Sequence, residues 1–285
     1  MNRLTRILVE LALEEDLSSI GDLTSNYFVD AAHRSNGRIV SREDAIISGH
    51  EVAAYVCSAI DPELEYEVTI QDGGSASKGE LVSAIRGLTR SVLTAERTVL
   101  NFMQRLSGIA TVAHHYAEQI AHTGAILLDT RKTTPGWRDL EKAAVSHGGA
   151  TNHRKGLYDA IMVKDNHLVA NPSPIDLRTR VAEIKARTPQ VKIEVEVDRL
   201  DQLEAFLKIP GIDVILLDNM SNDDLSTAVA MRNDARTPIK LEASGGVNSS
   251  TVEAIAETGV DYISVGALTH SVRSIDLGLD LVTAL

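Results

Sequence analysis

With 285 residues, 44% of them hydrophobic and 24% charged, the chain can bury a large core and has the composition of an ordinary globular protein rather than a disordered one. A formal net charge of −12 argues against general nucleic-acid binding, which needs a basic face. No apolar run approaches the roughly 20 residues of a membrane helix.

A single cysteine, Cys57, leaves no partner for an internal disulfide and suits a reducing compartment, so the cytosol is the expected address. The chain opens on an amphipathic helix: Leu4, Ile7, Leu8 and Leu11 recur at helical spacing, and acids follow at once, unlike a signal peptide. A turn follows at Gly21-Asp22-Leu23-Thr24. Strands are expected at 38–41, 45–48, 65–71 and 81–86, with turns supplied by Asp72-Gly73-Gly74 and Lys78-Gly79. A long helix is expected over 89–121. On it Arg97, Asn101, Gln104 and Gly108 are spaced four, three and four apart and share one face, while Leu93, Val99, Leu100, Met103 and Leu106 lie mainly on the other side. The polar face walls a site, makes a subunit contact, or is simply solvated.

Beyond it the rhythm changes. Six short runs rich in Ile, Val and Leu appear at 125–128, 160–163, 191–197, 214–217, 239–241 and 262–265, most of them separated by helical patterns such as 175–186, 200–207, 222–231 and 250–258. Short buried strands alternating with helices imply βαβ units and a parallel sheet. No Gly-x-Gly-x-x-Gly follows the first run, which weakens a dinucleotide-binding reading. Each run instead ends in polar chemistry: Asp129-Thr130-Arg131-Lys132, Lys164-Asp165-Asn166-His167, Glu194 with Glu196, Asp218-Asn219, Glu242-Ala243-Ser244-Gly245-Gly246, and Gly266. Active sites of parallel α/β barrels lie at these strand ends.

Between residues 131 and 167, seven Lys/Arg stand against four acids, a net +3 inside a chain of −12. A local basic patch in an acidic protein points to a small anionic ligand, with a solvated basic face as the alternative. Arg131, Lys132, His153, Arg154 and Lys164 supply forked and point-like cations suited to carboxylates and phosphates, with a satisfied neutral histidine as an equal reading of His153. Glu194 and Glu196 alternate along one strand and point to the same side, where a buried carboxylate needs a cation, a metal or a hydroxyl. Glu196 and Asp218, on successive strand ends, fit either Mg²⁺ or a sugar diol; for Glu194 and Glu196 the alternative is a structural ion pair with a neighbouring lysine or arginine. Ser244-Gly245-Gly246 and Gly266-Ala267-Leu268 resemble phosphate-binding loops, the first with a helix expected to follow and add its dipole.

The blocks Asp129-Thr-Arg-Lys-Thr-Thr-Pro-Gly136, Gly148-Gly-Ala-Thr-Asn-His-Arg154 and Lys164-Asp-Asn-His167 resemble signatures of the quinolinate phosphoribosyltransferase family. Glu96-Arg97, Ser107-Gly-Ile-Ala-Thr111, Leu216-Leu-Asp-Asn-Met220, Leu241-Glu-Ala-Ser-Gly-Gly246 and Leu268-Thr-His-Ser271 extend the likeness over almost the whole chain. The resemblance implies an α/β protein: an N-terminal α+β sandwich domain (1–110) followed by an incomplete parallel α/β barrel of six or seven strands (111–272). A C-terminal helix, within 273–285, would return to the first domain. It implies transfer of phosphoribosyl from phosphoribosyl pyrophosphate to quinolinate with loss of carbon dioxide, in a homodimer or higher homo-oligomer with shared active sites. Arg131, His153, Arg154 and Lys164 would bind quinolinate, and Arg97 would reach the same site from the partner subunit. Lys132, Glu196 and Asp218 would face phosphoribosyl pyrophosphate and its Mg²⁺. Ser244, Gly245, Gly246, Gly266 and His270 would cradle phosphate. Trp137 and Ala150 depart from the family pattern and bear on loop shape. The rivals are a phosphoribosyltransferase-like protein of molybdenum transport operons, a Schiff-base aldolase using Lys132 or Lys164, and a non-catalytic sensor of anionic metabolites.

Overall fold

The computed structural model describes residues 1–164, 167 and 174–283; Asp165 and Asn166, from the expected second strand end, lie outside them. The chain divides into two units. The first holds Met1–His115, Thr133–Gly149 and the chain from Leu268 onward, and the second holds Tyr116–Lys132 and Ala150–Ala267.

The first unit contains α1 (Arg3–Leu17), α2 (Leu23–Phe28), β1 (Arg34–Ser41), β2 (Ala45–Ile46), α3 (His50–Ile60), β3 (Glu65–Val68), β4 (Ser75–Ala76) and β5 (Leu81–Leu88). From β5 the chain passes without a loop into α4 (Thr89–Ile120), and α5 (Arg138–His147) comes later. Asn2 caps α1, its side chain accepting from the Thr5 N–H at 2.9 Å. The expected apolar stripe of α1 is largely on the surface, with Leu4 and Leu11 exposed. Val99, Leu100, Met103 and Leu106 of α4 are buried as expected, while Leu93 is only half-buried. The helix α5 was not expected, because Glu141 and Lys142, both buried, interrupt its apolar pattern.

The last strand, β12 (Leu277–Thr283), corrects the expected C-terminal helix. It returns to the first unit as the edge of an antiparallel sheet in the order β12-β1-β5-β3, paired to β1 through Ile39↔Leu279 and Ser41↔Leu277. The alternation Leu277, Leu279, Leu281 is a strand pattern, and the extended segment lets β1 hydrogen-bond on both edges.

The second unit contains β6 (Ile126–Leu128), β7 (Ile161–Val163), β8 (Ile193–Val197), β9 (Val214–Asp218), β10 (Lys240–Ser244) and β11 (Tyr262–Ser264), all parallel, in the order β6-β11-β10-β9-β8-β7. The helices are α6 (Pro174–Arg187), α7 (Leu200–Phe206), α8 (Asn222–Asp234) and α9 (Val252–Ala256); the short α10 (Ala267–His270) after β11 belongs to the first unit from Leu268 on. The first and second strands stand at opposite ends of this order, as in a barrel opened between them. Thr151 forms a parallel bridge with Leu128 on the free edge of β6, a single-residue seventh position.

Register fixes what lines the barrel. Met162↔Glu194↔Val214↔Lys240 is one row of partners, and Glu196↔Leu216↔Glu242↔Tyr262↔Ile126 is the next. Directly paired residues share a sheet face, so these side chains and those two residues on, including Lys164, Asp218 and Ser244, belong to one face. The opposite face carries Leu127, Ile193, Val195, Val197, Ile215, Leu217, Leu241, Ala243 and Ile263, every one buried. Apolar side chains thus pack outward and the polar ones are left for the interior. At about 25 cal/mol per Å² of apolar area removed from water, that outer layer holds the barrel together and frees the inside for chemistry.

Candidate functional site

The strand ends of the second unit bring together most of the expected residues. Lys164, just beyond β7, forms an ion pair with Glu196 near the end of β8. The Lys164 side chain remains 44% exposed while the carboxylate is 13% exposed, so the lysine is free to turn toward a ligand. Asp218, the last residue of β9, accepts from its neighbour Asn219 Nδ2 at 2.9 Å.

Glu194 lies two residues deeper than Glu196 on β8, and Glu242 two residues deeper than Ser244 on β10; they are 5% and 2% exposed. His153 faces both, with Nε2 at 3.2 Å from Glu194 Oε2 and 3.4 Å from Glu242 Oε2. Oε1 of each carboxylate is buried without a hydrogen-bond partner among the described residues. Burial by itself would lower the His153 pKa, but hydrogen bonds and charge from the two carboxylates overcome it and hold the ring at about 10. Burial holds Glu194 above the ordinary carboxylate range; its bond to His153 pulls it down, and the charge of Glu242 pushes it up. The Arg154 N–H donates to His153 Nδ1 at 2.6 Å, which favours a bare Nδ1 and hence a neutral ring. A neutral hydrogen bond contributes about 1 kcal/mol, whereas an uncompensated buried carboxylate costs several. The imidazolium therefore prevails, and the proton belongs to the three residues together. Sequence reasoning weighed Glu194 but selected only Glu196, and it passed over Glu242. Its signal was an acid inside the apolar Leu241–Ala243 run, in phase with the inner face.

Asp129, fully buried at the end of β6, accepts from the His153 N–H at 2.8 Å and so fixes the strand-like 151–153 segment beside β6. The Arg154 guanidinium donates to Ala160 O at 3.3 Å and lies 3.4 Å from Met162 Sδ. Burial lowers its pKa, as does the nearby charge of Arg131. Arg131 is half-buried and Lys132 exposed. A cavity of about 400 Å³ inside this unit is lined by Leu128, His153, Arg154, Glu194, Glu242 and Tyr262 among others.

The glycine loop after β10 is built by close approach. The Asn219 N–H donates to Ser244 O at 2.9 Å, and a Cβ added at Gly245 would lie 2.2 Å from Asn219 Oδ1. Gly245 also has φ +93°, Gly246 φ +63°, and Gly246 faces open space. The helix expected at 250–258 is shorter, Val252–Ala256, and starts six residues past Gly246. A helix dipole acts within about its first turn, so the loop itself, more than the helix, would have to hold an anion. Gly266 stands two residues past the end of β11.

Two expected residues lie in the first unit. Arg97 is exposed on α4, 4.0 Å from Glu96. His270 is exposed, its Nδ1 2.7 Å from Ser271 Oγ. The polar face containing Arg97 is not one open surface: Gln104 Nε2 donates to Leu277 O at 2.7 Å, and a Cβ on Gly108 would lie 2.1 Å from Arg273 O. Its far half receives the C-terminal segment, leaving Arg97 and Asn101 exposed. Trp137 stacks on Phe102, ring centroids 4.8 Å apart, which gives this departure from the family pattern a packing role.

Comparisons with known proteins agree with this architecture. The family model described as the quinolinate phosphoribosyl transferase C-terminal domain matches residues 109–280, and that of the N-terminal domain matches residues 22–107. A nicotinate-nucleotide pyrophosphorylase [carboxylating] of Mycobacterium leprae is 42% identical over 279 residues, covering 97% of this chain and 96% of its own. A quinolinate phosphoribosyltransferase [decarboxylating] of Nicotiana tabacum is 39% identical, covering 98% of this chain and 82% of its own. The solved structure of the nicotinate-nucleotide pyrophosphorylase from Francisella tularensis superposes with a TM-score of 0.90 at 36% identity, covering 99% of this chain and 97% of that one. With both of its parts matched by the family and its relatives aligned end to end, the chain belongs to the quinolinate phosphoribosyl transferase family.

Proposed function

We propose that the protein transfers the phosphoribosyl group of phosphoribosyl pyrophosphate to the ring nitrogen of quinolinate. It releases pyrophosphate and carbon dioxide and leaves nicotinate mononucleotide, a step of de novo NAD biosynthesis. The observation that carries this reading is the gathering of Arg131, His153, Arg154 and Lys164 on strand ends that also present Glu196 and Asp218. Such a site can hold two anionic substrates beside two carboxylates.

The sugar C1–O bond to pyrophosphate breaks as the ring nitrogen bonds to C1, through a cation-like sugar. The protein's task is to place nitrogen and carbon in line and to stabilise charge as it moves. Arg131, Arg154 and Lys164 take the two quinolinate carboxylates together with His153. When quinolinate displaces Glu196 from Lys164, that carboxylate becomes available to the sugar. Lys132, with Ser244, Gly245, Gly246, Gly266 and His270, serves the phosphates. Glu196 and Asp218 offer oxygen donors on adjacent strands, the donor type Mg²⁺ takes, and Mg²⁺ there would neutralise the leaving pyrophosphate. The nitrogen, now cationic, lets the ring accept the electron pair left by carbon dioxide, and C2 then takes a proton. The chain's one thiol plays no part: burial pushes Cys57 up to about 12.

The working unit is a homodimer or higher oligomer in which Arg97 enters the partner's site. Leu4, Leu11, Ile20, Leu23, Tyr27 and Phe28 are all exposed in a single protomer, more apolar surface than so short a stretch usually leaves to water. A cytoplasmic address suits the free Cys57, and among the described residues no helix is long and apolar enough to cross a membrane. The test is to incubate the protein with quinolinate, phosphoribosyl pyrophosphate and Mg²⁺ and to look for nicotinate mononucleotide. Nicotinate, one carboxylate short, should react very poorly, because an unpaired buried charge costs about 2–5 kcal/mol. Comparable turnover of the two acids would sink the assignment.

A further inference from the structure

Arg105 lies on α4, about two turns past Arg97, and no substrate role falls to it. Its guanidinium is 25% exposed and divides its donors among three partners. Nη1 donates to Val272 O at 2.6 Å, and Nη2 donates to Thr269 O at 2.7 Å and to Glu141 Oε1 at 3.4 Å. Glu141 is fully buried on α5 and accepts from both donors of Thr134, from N at 3.1 Å and from Oγ1 at 2.8 Å. The arginine thus ties two segments to one helix. One contains Thr134, two residues after Lys132; the other contains Thr269, immediately before His270.

Other contacts seat the same two segments. Phe102 stacks on Trp137, whose N–H donates to Thr134 O at 3.0 Å. The Ile275 N–H donates to Gln104 O at 3.0 Å, and Gly108 admits the Arg273 carbonyl where any side chain would clash. A buried ion pair with backbone partners is poor value as stability alone, since apolar residues of like volume usually do as well. What it supplies is a unique geometry, with all three partners specified by one planar fork.

We propose that Arg105 and Glu141 are positioning residues for phosphoribosyl pyrophosphate, holding the Thr134 segment and the His270 segment of the first unit in the spacing its phosphates require. The proposal rests on the function assigned above, which gives Lys132 and His270 to that substrate.

The test is steady-state kinetics of Arg105→Ala, Arg105→Lys, Glu141→Gln and Thr134→Ala beside the wild type. Each variant is checked by circular dichroism and gel filtration. A displacement of about 1 Å costs on the order of 100-fold in rate. For Arg105→Ala, kcat/KM for phosphoribosyl pyrophosphate should therefore fall about that far, with its KM raised at least about tenfold, while KM for quinolinate moves less than about threefold. Glu141→Gln and the exposed Thr134→Ala should show smaller losses of the same pattern. Arg105→Lys should recover only part of the loss, because a point charge cannot serve three partners. Added guanidinium should restore activity to Arg105→Ala and not to Lys132→Ala. If Arg105→Ala does not fold, the kinetics of Thr134→Ala and Glu141→Gln decide the matter. Unchanged KM for phosphoribosyl pyrophosphate in the folded variants, or equal losses for both substrates, overturns the proposal. An inactive wild type would instead overturn the functional assignment itself.

Discussion

Replacing His153 by alanine removes the counter-charge from two buried carboxylates. The ring nitrogen stands 3.2 and 3.4 Å from them. At an effective dielectric near 20, each such pair attracts with about 5 kcal/mol, most of it offset by the cost of taking the charges out of water. Removing one member of such a set leaves the others uncompensated, so His153→Ala should lose about 3–5 kcal/mol of stability near pH 8. The sign with pH follows from the carboxylates. Burial already holds Glu194 above its ordinary range, and without the imidazolium its folded-state pKa stays above the unfolded one. The penalty is complete above the folded value and disappears below the unfolded range near 4.3. Denaturant unfolding at fixed protein concentration, at pH 8 and pH 5, measures it, and the deficit should be much smaller at pH 5. A triple change of His153, Glu194 and Glu242 to apolar residues should lose less than His153→Ala alone. A deficit below about 1 kcal/mol, or one indifferent to pH, would refute the buried-charge account.

Asp218→Asn keeps shape and removes charge; if Asp218 serves Mg²⁺ or the developing sugar cation, steady-state kinetics should show the rate falling far more than quinolinate affinity. Hydrogen bonds from the Arg273 guanidinium, then from the Asp276 N–H, hold the Glu43 carboxyl at about 2, well below its ordinary 4.5. A depressed carboxyl stabilises the fold above its unfolded pKa and ceases to as pH falls, so Glu43→Gln should flatten the acid limb of stability between pH 4.5 and 2, as read by thermal melts. Arg97→Ala and Lys132→Ala should each be nearly inactive as pure homodimers. Subunit exchange leaves about half the dimers hybrid with one intact site each, so about a quarter of wild-type activity should return on mixing. Proven exchange with no activity regained places Arg97 in its own chain's site.

The barrel was legible because its outer layer must be apolar. Ile193, Val195, Ile215, Leu217 and Leu241 each sit in a short run that has no other reading once helical patterns separate the runs. The polar strand ends were legible for the complementary reason, since Lys164, Glu196, Asp218 and Ser244 break those runs in phase. Long-range pairing was not. Nothing near Glu242 in sequence says that His153, almost ninety residues earlier, neutralises it. The helix α5 was hidden because Glu141 and Lys142 occupy buried positions and erase the apolar period. The last strand carried its two-residue alternation openly, and the family likeness pointed to a helix instead. The face of α4 shows a third kind of miss: Gln104 and Gly108 look solvated until the distant Leu277 and Arg273 are laid on them.

The most direct measurement uses quinolinate carrying ¹⁴C in the carboxyl beside the ring nitrogen, with Mg²⁺ present and phosphoribosyl pyrophosphate added or withheld. Decarboxylation depends on the cationic ring that forms only after the sugar is attached. Labelled carbon dioxide should therefore appear only with phosphoribosyl pyrophosphate, in equal amounts to pyrophosphate and nicotinate mononucleotide. Release of label without phosphoribosyl pyrophosphate, or pyrophosphate formed with no label released, would contradict it.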